Sequence, residues 1–284
     1  MESIKFTKMN GAGNDFVLID NNQNPDLKLN PDLKLNPILI RNICHRRKGI
    51  GGDGVLFIKS SLINDFELEY YNSDGSLGSL CGNGARCSIK YAFDNLEIEN
   101  DVTNFSCNNN LYSGAKNNDD SITFHLLKPK DEKINLKVEI DEKVINCHFI
   151  DTGSPHVIIF WEEIEQHFAT SYHNFNMIEF GKKVRYAKEF SPSGTNINVI
   201  HEDGGKWFIR TYERGVEEET LSCGTGTVAA SIITSILDKN NPPIIFYTHD
   251  KDQLIVNFIK KNKKFTKISL TGPAKINYIG SYNF

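Results

Sequence analysis

The sequence predicts an α/β (α+β) protein of two pseudo-symmetric halves, and three observations predict it. First, Cys81-Gly82-Asn83-Gly84 recurs as Cys223-Gly224-Thr225-Gly226, an offset of 142 residues. Second, each copy sits between a strand-like run and a helix-period run. The strand-like runs are Phe66 to Tyr71 and Trp207 to Tyr212. The helix-period runs are Ala85, Ile89, Ala92, Phe93 and Val228, Ile232, Ile233, Ile236. Third, two upstream turns repeat at the same offset. Gly11 to Ile19 matches the run from Gly153 to Ile159, and Gly51 to Phe57 matches Ser193 to Val199. Three matches at one offset point to a duplicated fold.

Along the chain, Asn24 to Pro37 holds a six-residue tandem, Asn-Pro-Asp-Leu-Lys-Leu, read as a loop because it is polar and punctuated by proline. A first helix is expected over Pro37 to Arg46, with Asn36 as N-cap and Pro37 at the first helical position. Polar turns around Lys116 to Ser121 and Lys128 to Lys133 are expected to mark the seam. Ala274 to Ile279, after Gly272-Pro273, reads as a last strand. The expected division is residues 1–127 plus 272–284 for the half carrying Cys81, and 128–271 for the half carrying Cys223.

The chain has 284 residues and a formal net charge of -4, enough length for two modest cores. A mildly acidic balance gives no support to nucleic acid or an anionic membrane as partner. No stretch approaches the roughly 20 apolar residues of a membrane helix. Residues 1–6 lack the basic-then-apolar pattern of a signal peptide, so a cytoplasmic protein is expected. Its six cysteines should then be thiols. No C-x-x-C occurs, and Cys44-His45 has no second ligand pair, so no metal is expected. Cys44, Cys107 and Cys147 read as small apolar packing residues, and Cys87, inside the helix after Cys81, reads the same way.

Cys81 and Cys223 stand where helices should begin. There the macrodipole is positive and backbone N–H groups are unpaired, which lowers a thiol's pKa. The glycines let another molecule reach the backbone, whose N–H groups suit a carboxylate. Two such ends facing each other would place a carboxylate between helix tips with a thiol on either side. That arrangement suits removal of a proton from the carbon bearing the carboxylate and its return to the opposite face. The N–H groups would stabilise the charge developing on the carboxylate oxygens.

Further blocks join these. They are Phe6 to Phe16, Arg47 to Gly54, Asn72 to Gly75, Cys81 to Cys87, Gly153 to His156, Gly194 to Asn196, Tyr212 to Gly215 and Ser222 to Thr227. In this order the chain resembles the diaminopimelate epimerases, within the larger group that includes the proline racemases. The resemblance implies two similar domains, each a barrel-like, mostly antiparallel sheet around a central helix. It implies epimerisation of LL-diaminopimelate to meso-diaminopimelate in lysine and cell-wall precursor synthesis, without pyridoxal phosphate or metal, in an enzyme that is often a homodimer. Cys81 and Cys223 are implied as the acid/base pair. Gly82, Asn83, Gly224 and Thr225 would bind the reacting carboxylate. Asn14, Asn72, Asn196 and Arg214 would grip the rest of the substrate. Glu213 would bind substrate nitrogen and, with His156, tune the thiols. Taken singly, Asn14 and Asn72 also suit turn capping, His156 a core position, and Glu213-Arg214 a surface ion pair.

Three departures from the family pattern stand out. Gly54 replaces a Gln found in some members, leaving only backbone contact there. Ser154 stands where many have Asn and reaches less far. The stretch Glu213 to Cys223 is one residue longer than a common version. Three rival readings remain at this point. One is a proline or hydroxyproline racemase of the same fold, and another an isomerase of that fold without the thiol pair. The third is a thiol redox or metal-binding protein using Cys81, Cys87 and Cys223.

Overall fold

Each half of the chain builds one curved sheet and threads one long helix against it. A computed structural model describes residues 3–25, 36–262 and 264–284. The tandem read as a loop falls mostly on residues 26–35, outside the described residues. The chain divides into two compact units, Met1–His125 with Thr271–Phe284, and Leu126–Leu270.

In the first unit, β1 (Ser3–Gly11) pairs antiparallel with β2 (Asn14–Asp20). β2 runs parallel to β3 (Gly54–Lys59), and β3 antiparallel to β4 (Phe66–Asn72). β4 is parallel to β5 (Val102–Cys107). β6 (Asn110–Lys116) and β7 (Ile122–His125) continue the sheet as antiparallel hairpins. The strand Lys275–Asn283 closes the other flank by pairing with β1, Ser3 opposite Asn283. Helix α1 (Pro37–Cys44) starts as expected, with the Asn36 side chain accepting the N–H groups of Ile38 and Leu39 at 3.0 and 2.9 Å. It stops before Arg46. Its apolar face packs with Ile4, Phe6, Val17, Ile19, Val55 and Phe57. Helix α2 (Gly82–Asn95) lies against each of β1 to β7, which makes it the central helix of the unit. Ala85, Ile89, Tyr91 and Ala92 on it are fully buried. Removing each large apolar side chain from water contributes roughly 1.5–3 kcal/mol.

The second unit repeats the pattern. β8 (Lys130–Ile140), β9 (Lys143–Asp151) and β10 (Pro155–Phe160) are successive antiparallel neighbours. β10 is parallel to β11 (Asn196–Asp203), and β11 antiparallel to β12 (Lys206–Tyr212). The short β13 (Glu219–Thr220) pairs antiparallel with β12, and β14 (Ile244–Tyr247) pairs parallel with it. β15 (Gln253–Lys261) is antiparallel to β14. Helix α3 (Met177–Arg185) covers β8, β11 and β12, while α4 (Gly224–Ile236) packs on β9, β10, β11 and β15.

The parallel steps fall in equivalent places, β2 to β3 and β4 to β5 in one unit, β10 to β11 and β12 to β14 in the other. The central helices begin at Gly82 and Gly224, at the offset read from sequence. The structure is therefore the mixed, mostly antiparallel α/β fold expected. β8 takes beside β9 the place that the strand Lys275–Asn283 takes beside β1.

One expectation is corrected. Lys116 to Ser121 is not a seam but the β6–β7 hairpin turn inside the first unit. Asn117 N–H donates to Ser121 O at 2.9 Å, and Asp120 adopts a positive φ of 66°. Its Asn and Asp residues serve a tight turn, which carries the same composition as a linker. Lys130 to Lys133 already belongs to β8. The last strand runs further than expected, to Asn283. Among the described residues no helix is long and apolar enough to cross a membrane.

Candidate active site

Cys81 and Cys223 occupy the same structural position, the N-cap of a central helix. Both have extended backbone, φ −80° and ψ 130° at Cys81, φ −127° and ψ 110° at Cys223. The carbonyl of Cys81 accepts the Ala85 N–H at 2.8 Å, and that of Cys223 the Thr227 N–H at 2.9 Å. The first turns begin Gly82-Asn83-Gly84 and Gly224-Thr225-Gly226, and neither holds an acidic side chain. Each helix tip therefore keeps its positive end, with N–H groups directed past it. Gly226 is required by close approach. A Cβ there would stand 2.2 Å from Asn198 Oδ1.

In the first unit a chain of hydrogen bonds runs from the helix to the β1–β2 turn. Arg86, fully buried, donates to Asn83 Oδ1 at 2.8 Å. Asn83 Nδ2 donates to Asn14 Oδ1 at 2.5 Å. Asn14 Nδ2 donates to Asp53 at 2.9 Å, and Asp53 also accepts the Asp15 N–H. Arg46 clamps Asp53 and Asp15 together at 2.6 and 2.7 Å. Burial alone would raise the Asp15 pKa, but hydrogen bonds from Arg46 and Lys8 hold it below the usual carboxylate value. Asn14 and Asn83 thus meet directly. Asn72 stands apart from them, ending β4 opposite Gly54, with Nδ2 donating to Ser76 Oγ at 3.0 Å. Gly54 is buried, and a Cβ there would lie 2.4 Å from Tyr71 O and 2.6 Å from Tyr70 Cε2. The Tyr70 ring fills the space that a side chain at position 54 would need.

In the second unit His156, Ser154, Thr225 and Cys223 form one cluster. His156 Nε2 lies 2.9 Å from Ser154 Oγ and 2.9 Å from Thr225 Oγ1, and Thr225 Oγ1 lies 3.6 Å from Cys223 Sγ. Burial, aided by the charge of Arg214, pushes the His156 pKa down to about 3, so the ring is neutral. Asn196 sits opposite His156 across β10 and β11. Its amide is engaged at both ends, Nδ2 donating to Pro155 O and Oδ1 accepting the Arg214 N–H, both at 2.9 Å. The Arg214 guanidinium is half-buried and reaches Ser193 O at 3.4 Å. Glu213 accepts from Thr220 Oγ1 at 2.6 Å.

The stretch from Glu213 to Cys223 opens with a tight turn. Glu217, at φ 62°, closes a turn by donating its N–H to Glu213 O at 2.8 Å. Its carboxylate takes Arg185 (2.9 and 2.8 Å), the Tyr212 hydroxyl (2.9 Å) and the Gly215 N–H (2.8 Å). This anchor fixes the loop on either side of Arg214. The other cysteines are of a different kind. Cys44, Cys87 and Cys147 are buried thiols whose pKa burial pushes up to about 12, and Cys107 one pushed to about 11.

The family model for diaminopimelate epimerase matches residues 6–126 and 148–276. The chain belongs to the diaminopimelate epimerase family. A diaminopimelate epimerase of Flavobacterium psychrophilum is 37% identical over 273 residues, covering 96% of this chain and 97% of the relative. As a member of the diaminopimelate epimerase family the chain is an isomerase. Among solved structures, a Bacillus anthracis phenazine biosynthesis protein of the PhzF family superposes over 100% of both chains with a TM-score of 0.72 at 14% identity. A hydroxyproline epimerase from Agrobacterium vitis, with bound trans-4-OH-L-proline, covers 99% of this chain and 92% of its own with a TM-score of 0.71 at 12% identity. At such identities these two show a shared fold only.

Sequence reasoning missed the residues behind the front rank. Asp53 orients Asn14, Thr220 holds Glu213, and Asn198 meets His156 Nδ1 at 3.1 Å. Asn198 left a trace. In the apolar strand Asn196-Ile197-Asn198-Val199-Ile200 a second amide two residues on shares the face of the first.

Proposed function

We propose that this protein epimerises LL-diaminopimelate to meso-diaminopimelate, with Cys81 and Cys223 exchanging the α-proton on opposite faces of the substrate carbon. The observation that carries the reading is the repeated N-cap cysteine, each at a helix tip free of acidic side chains, in a chain matching its family over nearly its whole length. In one direction a thiolate removes the proton from the α-carbon as the other sulfur, held as a thiol, delivers its own to the opposite face. One proton leaves and one arrives, so the substrate is inverted and the two sulfurs exchange protonation states. The N–H groups at Gly82, Asn83, Gly224 and Thr225 take the charge gathering on the carboxylate oxygens, where one such donor is worth roughly 10²–10³ in rate.

The remaining roles are those the family resemblance implies, and they suit the chemistry of the substrate. Diaminopimelate carries two carboxylates and two ammonium groups. Arg214 pairs with the distal carboxylate, and Glu213 with an ammonium group. Asn14 and Asn196 are braced by the protein, yet each amide nitrogen has a second N–H to offer. Asn72 and Ser154 add hydrogen bonds, while Gly54 adds only backbone. His156 acts on the thiols as a neutral ring. The same reading places the enzyme in lysine and cell-wall precursor synthesis, in the cytoplasm, without pyridoxal phosphate, as a homodimer of two-domain chains.

The test is solvent-deuterium incorporation into LL-diaminopimelate. Wild type is expected to exchange the α-hydrogen and form the meso isomer. Cys81→Ser and Cys223→Ser should each abolish epimerisation, and L-proline should not turn over. Near-normal turnover in either serine variant would remove the mechanism, and turnover of L-proline alone would favour the racemase reading.

A further inference from the structure

We infer that Asn198 is a positioning residue that fixes the tautomer of His156 and so directs the Thr225 hydroxyl proton onto the sulfur of Cys223. The inference rests on Cys223 acting as proposed, and it concerns how that sulfur is made ready.

The bonding order sets the His156 tautomer. The carbonyl of Val157, a pure acceptor 3.0 Å from Asn198 Nδ2, fixes the amide orientation, and Thr211 Oγ1 then donates to Asn198 Oδ1 at 2.9 Å. Asn198 Nδ2 carries two hydrogens. One goes to Val157 O at 3.0 Å, and the other points at His156 Nδ1 at 3.1 Å. His156 Nδ1 is therefore an acceptor. In a neutral ring the proton must then be on Nε2, which donates toward Ser154 Oγ and Thr225 Oγ1, each 2.9 Å away. With a donor arriving from His156, Thr225 has its own hydrogen to give; its oxygen lies 3.3 Å from Ser154 Oγ, which can donate to it in turn, and 3.6 Å from Cys223 Sγ, which as a thiolate can only accept. The Thr225 main chain is tied down as well, since Thr152 Oγ1 donates to its carbonyl at 2.8 Å. An O–H aimed at sulfur favours the thiolate, because it bonds more strongly to charged than to neutral sulfur.

The equivalent helix start in the other repeat carries an amide in place of the hydroxyl. Position 83 corresponds to Thr225, and the Asn83 amide is turned to Asn14 and Arg86. Asn198 is also the residue that Gly226 is small enough to admit. Cys223 is thus prepared through a hydroxyl relay that starts at Asn198.

The full-length enzyme, without substrate, tests this in two ways. Nitrogen NMR of His156, assigned by its loss in His156→Gln, reads the tautomer. Iodoacetamide labelling at one fixed pH, read by peptide mass spectrometry, gives the rate at Cys223 relative to Cys81. Wild type should show Nε2–H. Thr225→Val should lower the Cys223-to-Cys81 ratio roughly tenfold, the scale of one hydrogen bond to a charged group, and Thr225→Ser should restore it. Asn198→Leu should lower both the Nε2–H population and the ratio. An Nδ1–H tautomer in wild type, or an unchanged ratio in Thr225→Val, overturns the inference. Neither readout needs turnover, so this failure is separate from failure of the epimerase reading, which the serine variants decide.

Discussion

Lowering the pH from 7.5 to 5 should strip about 4 kcal/mol of stability from the second unit, because two of its histidines are buried as neutral rings. His156 is held at about 3 by burial and then by Arg214, and His148 at about 4 by burial and then by Lys239. His148 accepts the Asn135 N–H at Nδ1 and meets the Phe160 ring edge-on, a setting with no place for a second charge. Both folded values are depressed below the ordinary 6.5. The unfolded chain therefore binds protons that the folded chain refuses. Stability is intact above 6.5 and falls as the pH drops toward the folded values. Each group contributes about 1.4 kcal/mol per pH unit through that window, hence about 2 kcal/mol at pH 5. Both tryptophans, Trp161 and Trp207, are buried in this unit, so their fluorescence during urea unfolding follows it directly. Two protons taken up on unfolding near pH 5 give a slope near 2.7 kcal/mol per pH unit, and His148→Gln should halve it. A transition midpoint that stays level between pH 7.5 and 5 would refute the assignment of two neutral buried rings.

Other outcomes are equally concrete. Cys87→Ser should keep epimerase turnover while lowering the melting temperature, since it buries a hydroxyl in a site with no exposed surface at a cost of about 1–3 kcal/mol. Gly54→Ala should destabilise the first unit by about 1–3 kcal/mol by driving Tyr70 from its place, readable by denaturant unfolding. Asp53→Ala should raise KM for diaminopimelate roughly tenfold by releasing Asn14, with far-ultraviolet circular dichroism unchanged. Glu217→Ala should do the same through Arg214, because the loop loses its Arg185, Tyr212 and Gly215 anchor.

Much of the fold was legible because duplication leaves two readings of each element. Cys81 and Cys223 can be placed at helix starts because a Cys-Gly-x-Gly run follows a strand-like run and opens an apolar 3.6 period twice. Asn36-Pro37 announced α1 through capping chemistry that acts within a few residues. What stayed hidden depends on partners far along the chain. That Asp53 would orient Asn14, or that Asn198 would accept from Thr211 and donate to His156, follows from strand register. Register is set by packing of whole sheets. The hairpin turn at Lys116 to Ser121 reads as a seam for a similar reason. Local composition records that a chain turns, and does not record which core lies on either side.

The strand Lys275–Asn283, lying along β1, gives the two units different histories during synthesis. Residues 126–270 form an uninterrupted segment that can condense as soon as it clears the ribosome. β1 has to wait until the whole of that segment has been made before the strand Lys275–Asn283 can cover its outer edge. Until then it presents open main-chain groups to any passing strand. Nascent chains in which residues 126–270 have emerged and Lys275–Asn283 has not should therefore hold a finished second unit and a sticky first one, and chaperone demand should be concentrated on that interval.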